Sequence, residues 1–193
     1  MSLTISQTTS PYTTLQEQAD EALAQLARQD YAAFAALYRR YVTRVYRYCY
    51  SQTGNGQDAE DCTSQTFLAA LEQIGRFRGQ GSFAAWLFGI ARRRCQDVGR
   101  RQARRQEVDQ PPEMVDTAFE ELIGLSYRQE LLGCVERRLR TMTADRQEVL
   151  RLRFWAGLST KETARVMRKG ESAVKMLLAR AVADLRERCL DET

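Results

Sequence analysis

The sequence contains no histidine, and only three of its 193 residues are proline and three are lysine. Without histidine, the chain cannot form a His-ligated zinc site, a Ser-His-Asp triad or a Cys-His catalytic pair. It has no apolar run of about eighteen residues and no secretory signal, so we expect a cytoplasmic protein that does not insert into a membrane. The five cysteines are odd in number and lack a C-x-x-C spacing, which predicts reduced, partly buried thiols.

The sequence also offers no recognisable machinery for catalysis or for a cofactor. There is no phosphate-binding P-loop, and no cysteines stand at ligand spacing. Asp58, Glu60 and Asp61 could hold a metal in principle, but acidic residues at a helix start are better explained by the helix dipole and by docking to a partner. We therefore expect that the protein is not an enzyme and that it binds neither a metal ion nor a cofactor.

Charge is distributed in blocks along the chain rather than evenly. Residues 1–75 carry a net charge of −3, residues 76–105 of +8, residues 106–130 of −6 and residues 131–193 of +5. Two basic segments separated by an acidic one suggest two polyanion-binding modules on a tether. Pro111 and Pro112 cannot lie inside a helix, and they mark the acidic block as the linker.

Apolar residues recur at spacings of three and four, which predicts an all-α chain. The first long helix is expected from about Asp30 to Ser51, with a core-facing stripe of Phe34, Tyr38, Tyr41, Val45 and Tyr48. A second helix begins near Gln57, and Ser82 can cap a third. A shorter helical piece is expected near Leu15–Leu26. The third helix continues into a run of arginines that can hold duplex phosphates or, alternatively, an acidic partner.

Residues 143–188 divide into helix, turn, helix, turn and helix. Thr143 can cap the first of these helices, Gly157 ends it, and Ser159 with Glu162 fits a capping box. The last helix, near residues 171–186, carries Val174, Leu178, Ala181 and Leu185 at spacings of 4, 3 and 4. This pattern is a helix-turn-helix with a C-terminal recognition helix, although a generic amphipathic helix pair has similar periodicity.

Two blocks of the sequence resemble the bacterial sigma factors of the small extracytoplasmic-function (ECF) class. The block from Asp58 to Leu68, followed by the block from Phe77 to Arg92, resembles conserved region 2. The segments from Gln147 to Ala164 and from Ala173 to Ala181 resemble the region-4 helix-turn-helix. The resemblance implies an N-terminal extension over 1–29, partly disordered, then a region-2 domain over 30–105, a flexible acidic linker over 106–130 and a region-4 domain over 131–190.

The resemblance further implies binding to core RNA polymerase at its β′ clamp and β flap, recognition and melting of promoter DNA, and regulation by an anti-sigma factor. The implied clamp contacts are Asp58, Glu60, Asp61, Thr63, Gln65 and Thr66. The implied contacts with the downstream (−10) element are Arg78, Gln80, Ser82, Phe83, Trp86, Arg92, Arg93, Arg94, Arg100 and Arg101. The implied contacts with the upstream (−35) element are Lys161, Lys169, Glu171, Ser172, Lys175, Met176 and Arg180.

One departure from the family pattern has a structural consequence. Arg168 occupies the turn position where the family usually has glycine, so it is strained if the turn requires a positive φ. Two other functions fit parts of the sequence. A helix-turn-helix regulator that does not bind polymerase would leave the two N-terminal blocks unexplained, and an adaptor without melting ability would use the N-terminal half only to bind a partner.

Overall fold

The computed structural model describes residues 18–79, 81–105 and 126–189, and within these ranges it contains eight α-helices and no strand. The all-α prediction is confirmed. A 3₁₀ turn, Ile74–Arg76, follows the third helix, and a π-helical turn, Arg151–Trp155, extends the sixth. The helices are α1 Asp20–Leu26, α2 Tyr31–Thr53, α3 Gly56–Gln73, α4 Phe83–Arg105, α5 Ser126–Thr141, α6 Ala144–Leu150, α7 Thr160–Met167 and α8 Glu171–Cys189.

The first domain is built on α2, α3 and α4, and local signals set where these helices begin and end. Asp30 caps α2 by accepting a hydrogen bond from the Ala32 amide at 2.7 Å, and Asn55 caps α3 in the same way. Gly54 ends α2 in the left-handed conformation, with φ of 65°. The aromatic stripe predicted for α2 faces the core, except that Tyr38 is 43% exposed.

Helix α1 belongs to the same domain, although the sequence places this segment in an N-terminal extension. Leu23 and Ala24 are fully buried, so the helix contributes to the core. The Asp20 carboxylate accepts hydrogen bonds from Arg40 and from the Tyr41 hydroxyl of α2. Burial and this carboxylate raise the pKa of Tyr41 well above its usual range. The domain therefore begins with α1, ahead of the predicted boundary at residue 30.

The second domain comprises α5 to α8 and departs from the sequence predictions at two points. Cys134 on α5 and Cys189 at the end of α8 form a disulfide, so the prediction of reduced thiols fails for this pair. Cys49, Cys62 and Cys95 are free and buried, as expected. Thr143 precedes α6 but makes no capping hydrogen bond through its side chain, so that predicted cap is wrong.

The two domains pack against each other most extensively through two pairs of elements. Helix α2 contacts the π-helical turn, and α4 contacts α7. The sequence had suggested separate modules on a tether. The proline pair and most of the acidic linker lie outside the described residues, and α5 already begins at Ser126. Across the described ranges, no helix combines the length and the apolar character needed to cross a bilayer.

Candidate nucleic-acid and polymerase interface

The start of α3 presents an acidic, solvent-facing surface. Glu60, Asp61 and Gln65 are exposed, and Asp58 is half-buried. The Asp58 backbone amide donates to the Asn55 side chain at 3.0 Å, which caps the helix. Carboxylates in the first turns of a helix are stabilised by its positive end, and together they form a surface that complements a basic partner.

Two of the six residues predicted to contact the polymerase clamp do not reach this surface. Thr63 and Thr66 are 6% and 0% exposed. Their hydroxyls donate to the carbonyls of Ala59 and Cys62, four residues earlier, at 2.7 and 2.6 Å. Both threonines therefore pack in the core between helices, and the prediction that they touch a partner is corrected on this ground.

The loop that leads into α4 uses glycine where the backbone requires it. Gly79 and Gly81 have φ values of 69° and 102°, which L side chains rarely adopt. Ser82 caps the helix by accepting from the Ala85 amide at 3.2 Å, as predicted. Arg78 is exposed, whereas Gln80, also predicted to contact DNA, lies outside the described residues.

Phe83 and Trp86 lie one helical turn apart on α4 but differ in accessibility. Phe83 is 1% exposed, and its ring packs 5.4 Å from Tyr41 and 5.8 Å from Phe77 between centroids. It is a core residue, so the prediction that it contacts DNA is corrected. Trp86 is half-buried, and its ring centroid lies 5.6 Å from that of Phe83. The exposed part of its side chain lines the groove between α4 and α7. Trp86 is thus the available aromatic for stacking.

The arginine run continues along the same helix. Arg93, Arg100 and Arg101 are exposed, whereas Arg92 and Arg94 are half-buried. Arg100 pairs with Asp97, and this guanidinium lowers the pKa of that carboxyl. The exposed arginines give α4 a cationic surface that suits sequence-independent contact with phosphates.

The helix-turn-helix has the predicted local structure. The Ser159 side chain accepts from the Glu162 amide at 3.2 Å, and the Glu162 carboxylate accepts from the Ser159 amide at 2.7 Å, which completes the capping box. Arg168 ends α7 in the left-handed region, with φ of 54°, so the predicted strain is present.

Two lysines of the helix-turn-helix differ in their exposure to solvent and in their ion pairing. Lys161 is exposed, but Lys169 is half-buried and pairs with Asp145 of α6 at 2.9 Å. Lys169 therefore holds the turn against the preceding helix, and its predicted contact with DNA requires that it leave Asp145 or share it.

Helix α8 separates its apolar and polar sides cleanly. Val174 and Ala181 are fully buried against the domain core. The predicted recognition residues are all exposed on the other side: Glu171, Ser172, Lys175, Met176 and Arg180. Exposed Lys, Arg and apolar side chains are the types with which recognition helices in general bind guanine and thymine methyl groups in the major groove.

Glu148 on α6 is a residue with a role that the sequence did not predict. It is 7% exposed and accepts hydrogen bonds from the Tyr48 hydroxyl at 2.8 Å and from the Gln52 amide at 2.5 Å. Arg92 Nε lies 3.2 Å away, close enough for an ion pair but not aligned as a hydrogen bond. The sequence signal was weak: Glu148 stands four residues before the buried Leu152, on the inward side of the helix.

A groove of about 670 Å³ lies between α4 and α7. It is rich in cationic side chains from both domains, and its lining includes Trp86, Arg92, Arg93, Arg165 and Arg168. Among the residues that the structure describes, no group of three or more Cys, Asp or Glu side chains is arranged to hold a metal ion. The described residues thus form an acidic surface on α3 and cationic surfaces on α4 and α8, and cationic surfaces of this kind suit polyanions.

Comparison with known proteins shows similarity over both domains. The family model of Sigma-70 region 2 matches residues 37–105, and that of Sigma-70, region 4 matches residues 132–185. The chain is 42% identical over 165 residues to the ECF RNA polymerase sigma factor BldN of Streptomyces coelicolor. The aligned residues make up 79% of this chain and 59% of BldN. The chain therefore spans less than two thirds of that relative's length.

Two further proteins are similar over most of their length. RNA polymerase sigma factor YlaC of Bacillus subtilis is 28% identical over 156 residues, which is 78% of this chain and 88% of YlaC. The solved structure of CnrH in complex with the cytosolic domain of CnrY has a TM-score of 0.66 and 26% identity, covering 88% of this chain and 96% of the CnrH chain.

Proposed function

Because the chain belongs to the sigma-70 family, in its ECF class, we propose that it binds core RNA polymerase, directs it to specific promoters and helps to open the strands there. On this proposal the chain is a binding and melting factor, and the polymerase performs the chemistry. The observation that carries the proposal is the presence in one chain of two different exposed surfaces that suit nucleic acid, the arginine-bearing α4 and the outer face of α8.

The downstream element is assigned to α4 and the loop before it. Trp86 is available to stack on an unpaired base, and the exposed Arg93 and Arg101 can hold the backbone nearby. A base that leaves the duplex stack costs a few kcal/mol, which stacking and phosphate contacts must recover. The proximity of an aromatic residue and arginines on one helix supports this assignment.

The upstream element is assigned to α8, and polymerase docking to α3. Lys175 is exposed in the N-terminal half of α8 and Arg180 at its middle. The N-terminal part of a recognition helix is the part that contacts base edges. The acidic start of α3, with Glu60 and Asp61 exposed, supports docking on a basic surface such as the polymerase clamp.

Regulation by an anti-sigma factor is part of the same proposal. In the similar structure, CnrH is in complex with the cytosolic domain of CnrY, so a chain of this fold can be covered by a second protein. The alternative function is a helix-turn-helix regulator that binds DNA but not polymerase. The match of Sigma-70 region 2 to residues 37–105 favours the sigma factor over that alternative.

The test is co-elution with core RNA polymerase, followed by run-off transcription on genomic promoter fragments. We expect transcripts with defined starts that require the protein. The double variant Glu60→Lys and Asp61→Lys should lose core binding, whereas Glu72→Lys, an exposed residue at the other end of α3, should retain it. DNA binding by the wild type without any association with core would refute the proposal and establish the regulator.

A further inference from the structure

Helix α1 contacts the loop that the proposed function assigns to the downstream promoter element. It packs against α2, the 3₁₀ turn and α4, so it lies beside both ends of this loop. The Gln25 side chain donates to the Phe77 carbonyl at 3.5 Å, where the loop begins. The Glu21 carboxylate accepts from the Phe83 amide at 3.2 Å, where α4 begins. One short helix therefore binds both ends of the loop, although 52 and 62 residues separate these partners in sequence.

Glu21 supplies a cap that the sequence next to α4 does not provide. The first amides of a helix have no partner within the helix. Ser82 accepts from the Ala85 amide, at the third position of α4, so the Phe83 amide at the first position needs another acceptor. The Glu21 carboxylate is that acceptor, and its negative charge lies at the positive end of the helix dipole. The start of α4 is thus fixed by two caps, one from its own loop and one from α1.

Gln25 also lies against the backbone in the middle of the loop. Gly79 has φ of 69°, and a Cβ on this glycine would stand 2.9 Å from Gln25 Nε2. The loop backbone therefore passes directly beside the Gln25 amide, with no room for a larger residue unless Gln25 moves. The positive φ and the close contact together select glycine here. Gln25 consequently limits how close the loop comes to α1.

Helix α1 is anchored to the rest of the first domain. Leu23 is fully buried, and the Asp20 carboxylate accepts a hydrogen bond from Arg40 of α2. Glu21 and Gln25 stand four residues apart, so they lie on one side of α1, one turn above the other. Because the buried part of the helix is fixed, these two side chains present a fixed pair of contacts to the loop.

We propose that Glu21 and Gln25 are positioning residues for promoter recognition, which hold the loop before α4 in the conformation that meets the downstream element. The inference rests on the proposed function, which assigns this loop and α4 to that element. It extends the recognition machinery to α1, which precedes the region that matches Sigma-70 region 2, residues 37–105.

The two residues act through the loop and need no contact with DNA. Without either hydrogen bond, the described parts of the loop, residues 77–79 and 81–82, can adopt other conformations beside α4. The apparent affinity for the downstream element then falls with the fraction of molecules that keep the competent conformation. The same loss makes recognition less selective, because a loop without a fixed backbone discriminates poorly between bases.

The test uses the full chain with core RNA polymerase and a genomic promoter fragment on which the wild type starts transcription. Glu21→Ala and Gln25→Ala each remove one contact, whereas Glu21→Gln keeps an oxygen that can accept from the Phe83 amide. Glu72→Ala and Gln29→Ala are the matched controls, because they remove the same side-chain types from exposed sites away from the loop. Run-off yield is measured on the original fragment and on fragments with single-base changes in the downstream or the upstream element.

We expect Glu21→Ala and Gln25→Ala to lower the yield on the original fragment by about 2- to 10-fold, the factor that corresponds to the net contribution of one hydrogen bond. The penalty for base changes in the downstream element should shrink. The penalty for changes in the upstream element should stay at its wild-type value, because α8 is unaltered. Glu21→Gln should restore most of the yield, and both controls should match the wild type.

Hydrogen exchange of the Phe83 amide, measured by NMR without DNA, reports the contact with Glu21 separately. We expect faster exchange in Glu21→Ala than in the wild type. Unchanged exchange, or faster exchange with an unaltered penalty in the downstream element, would overturn the positioning role. So would equal changes in the penalties of both elements that Glu21→Gln does not restore, since these indicate a general loss of structure. A wild type that yields no defined transcript would instead refute the proposed function, and with it the role in recognition, whatever the exchange rate.

Discussion

Reduction of the Cys134–Cys189 disulfide should strongly destabilise the second domain. The bond joins residues 55 apart in sequence, and closing a loop of that length lowers the entropy of the unfolded chain enough to contribute about 4 kcal/mol. A domain of this size has a total stability of roughly 3–10 kcal/mol. At about 4–8 °C per kcal/mol for so small a domain, reduction should lower its Tm by more than about 15 °C.

The assay follows thermal unfolding by the fluorescence of Trp155, which lies in the second domain. The other tryptophan, Trp86, lies in the first domain and is replaced by phenylalanine so that one reporter remains. The control is the double variant Cys134→Ala and Cys189→Ala. A phosphine reductant should lower the Tm of the parent and leave that of the double variant unchanged, because Cys49, Cys62 and Cys95 are free. A shift in the parent below about 5 °C would refute the reasoning from loop closure.

Four further substitutions test the roles of single residues. Arg168→Gly should raise the stability of the second domain by about 1 kcal/mol in urea denaturation, because glycine adopts positive φ without strain, and no change would mean that the turn is relaxed. Ser159→Ala should lower that stability by about 1 kcal/mol, since it removes the capping box, and an unchanged midpoint would contradict that role. Arg93→Glu should weaken binding to every promoter and reduce its salt dependence, whereas Lys175→Ala should change upstream-element preference; equal loss on all promoters from the Lys175 variant would reverse that assignment.

Local signals in the sequence predicted the helices well. The first long helix begins next to Asp30, as predicted, Ser82 caps α4, and the capping box at Ser159 opens α7 where the sequence predicts it. These caps depend on hydrogen bonds within three residues, so sequence order alone determines them. The recognition face of α8 was equally predictable, because the spacing of Val174 and Ala181 defines its buried side.

Apart from the local failure of the cap at Thr143, the main failures have a different physical origin, because they depend on contacts between distant parts of the chain. Thr63 and Thr66 match the family motif, but only the packing of α3 against its neighbours buries them. The Cys134–Cys189 pairing depends on how the fold brings α5 to the end of α8. Glu148 has its partners about a hundred residues earlier, and no local pattern distinguishes a buried glutamate from a solvated one.

Helix α4 extends without interruption for 23 residues. At a rise of 1.5 Å per residue, the fifteen-residue interval between Trp86 and Arg101 spans roughly 22 Å, comparable to about six base pairs of duplex. The residue proposed to stack and the arginines proposed to hold phosphates therefore lie on one continuous helix. A single residue inserted between them would turn the arginines by about 100° relative to the tryptophan. On the proposed function, the angle between these side chains around the helix axis would matter for promoter binding as much as their identity.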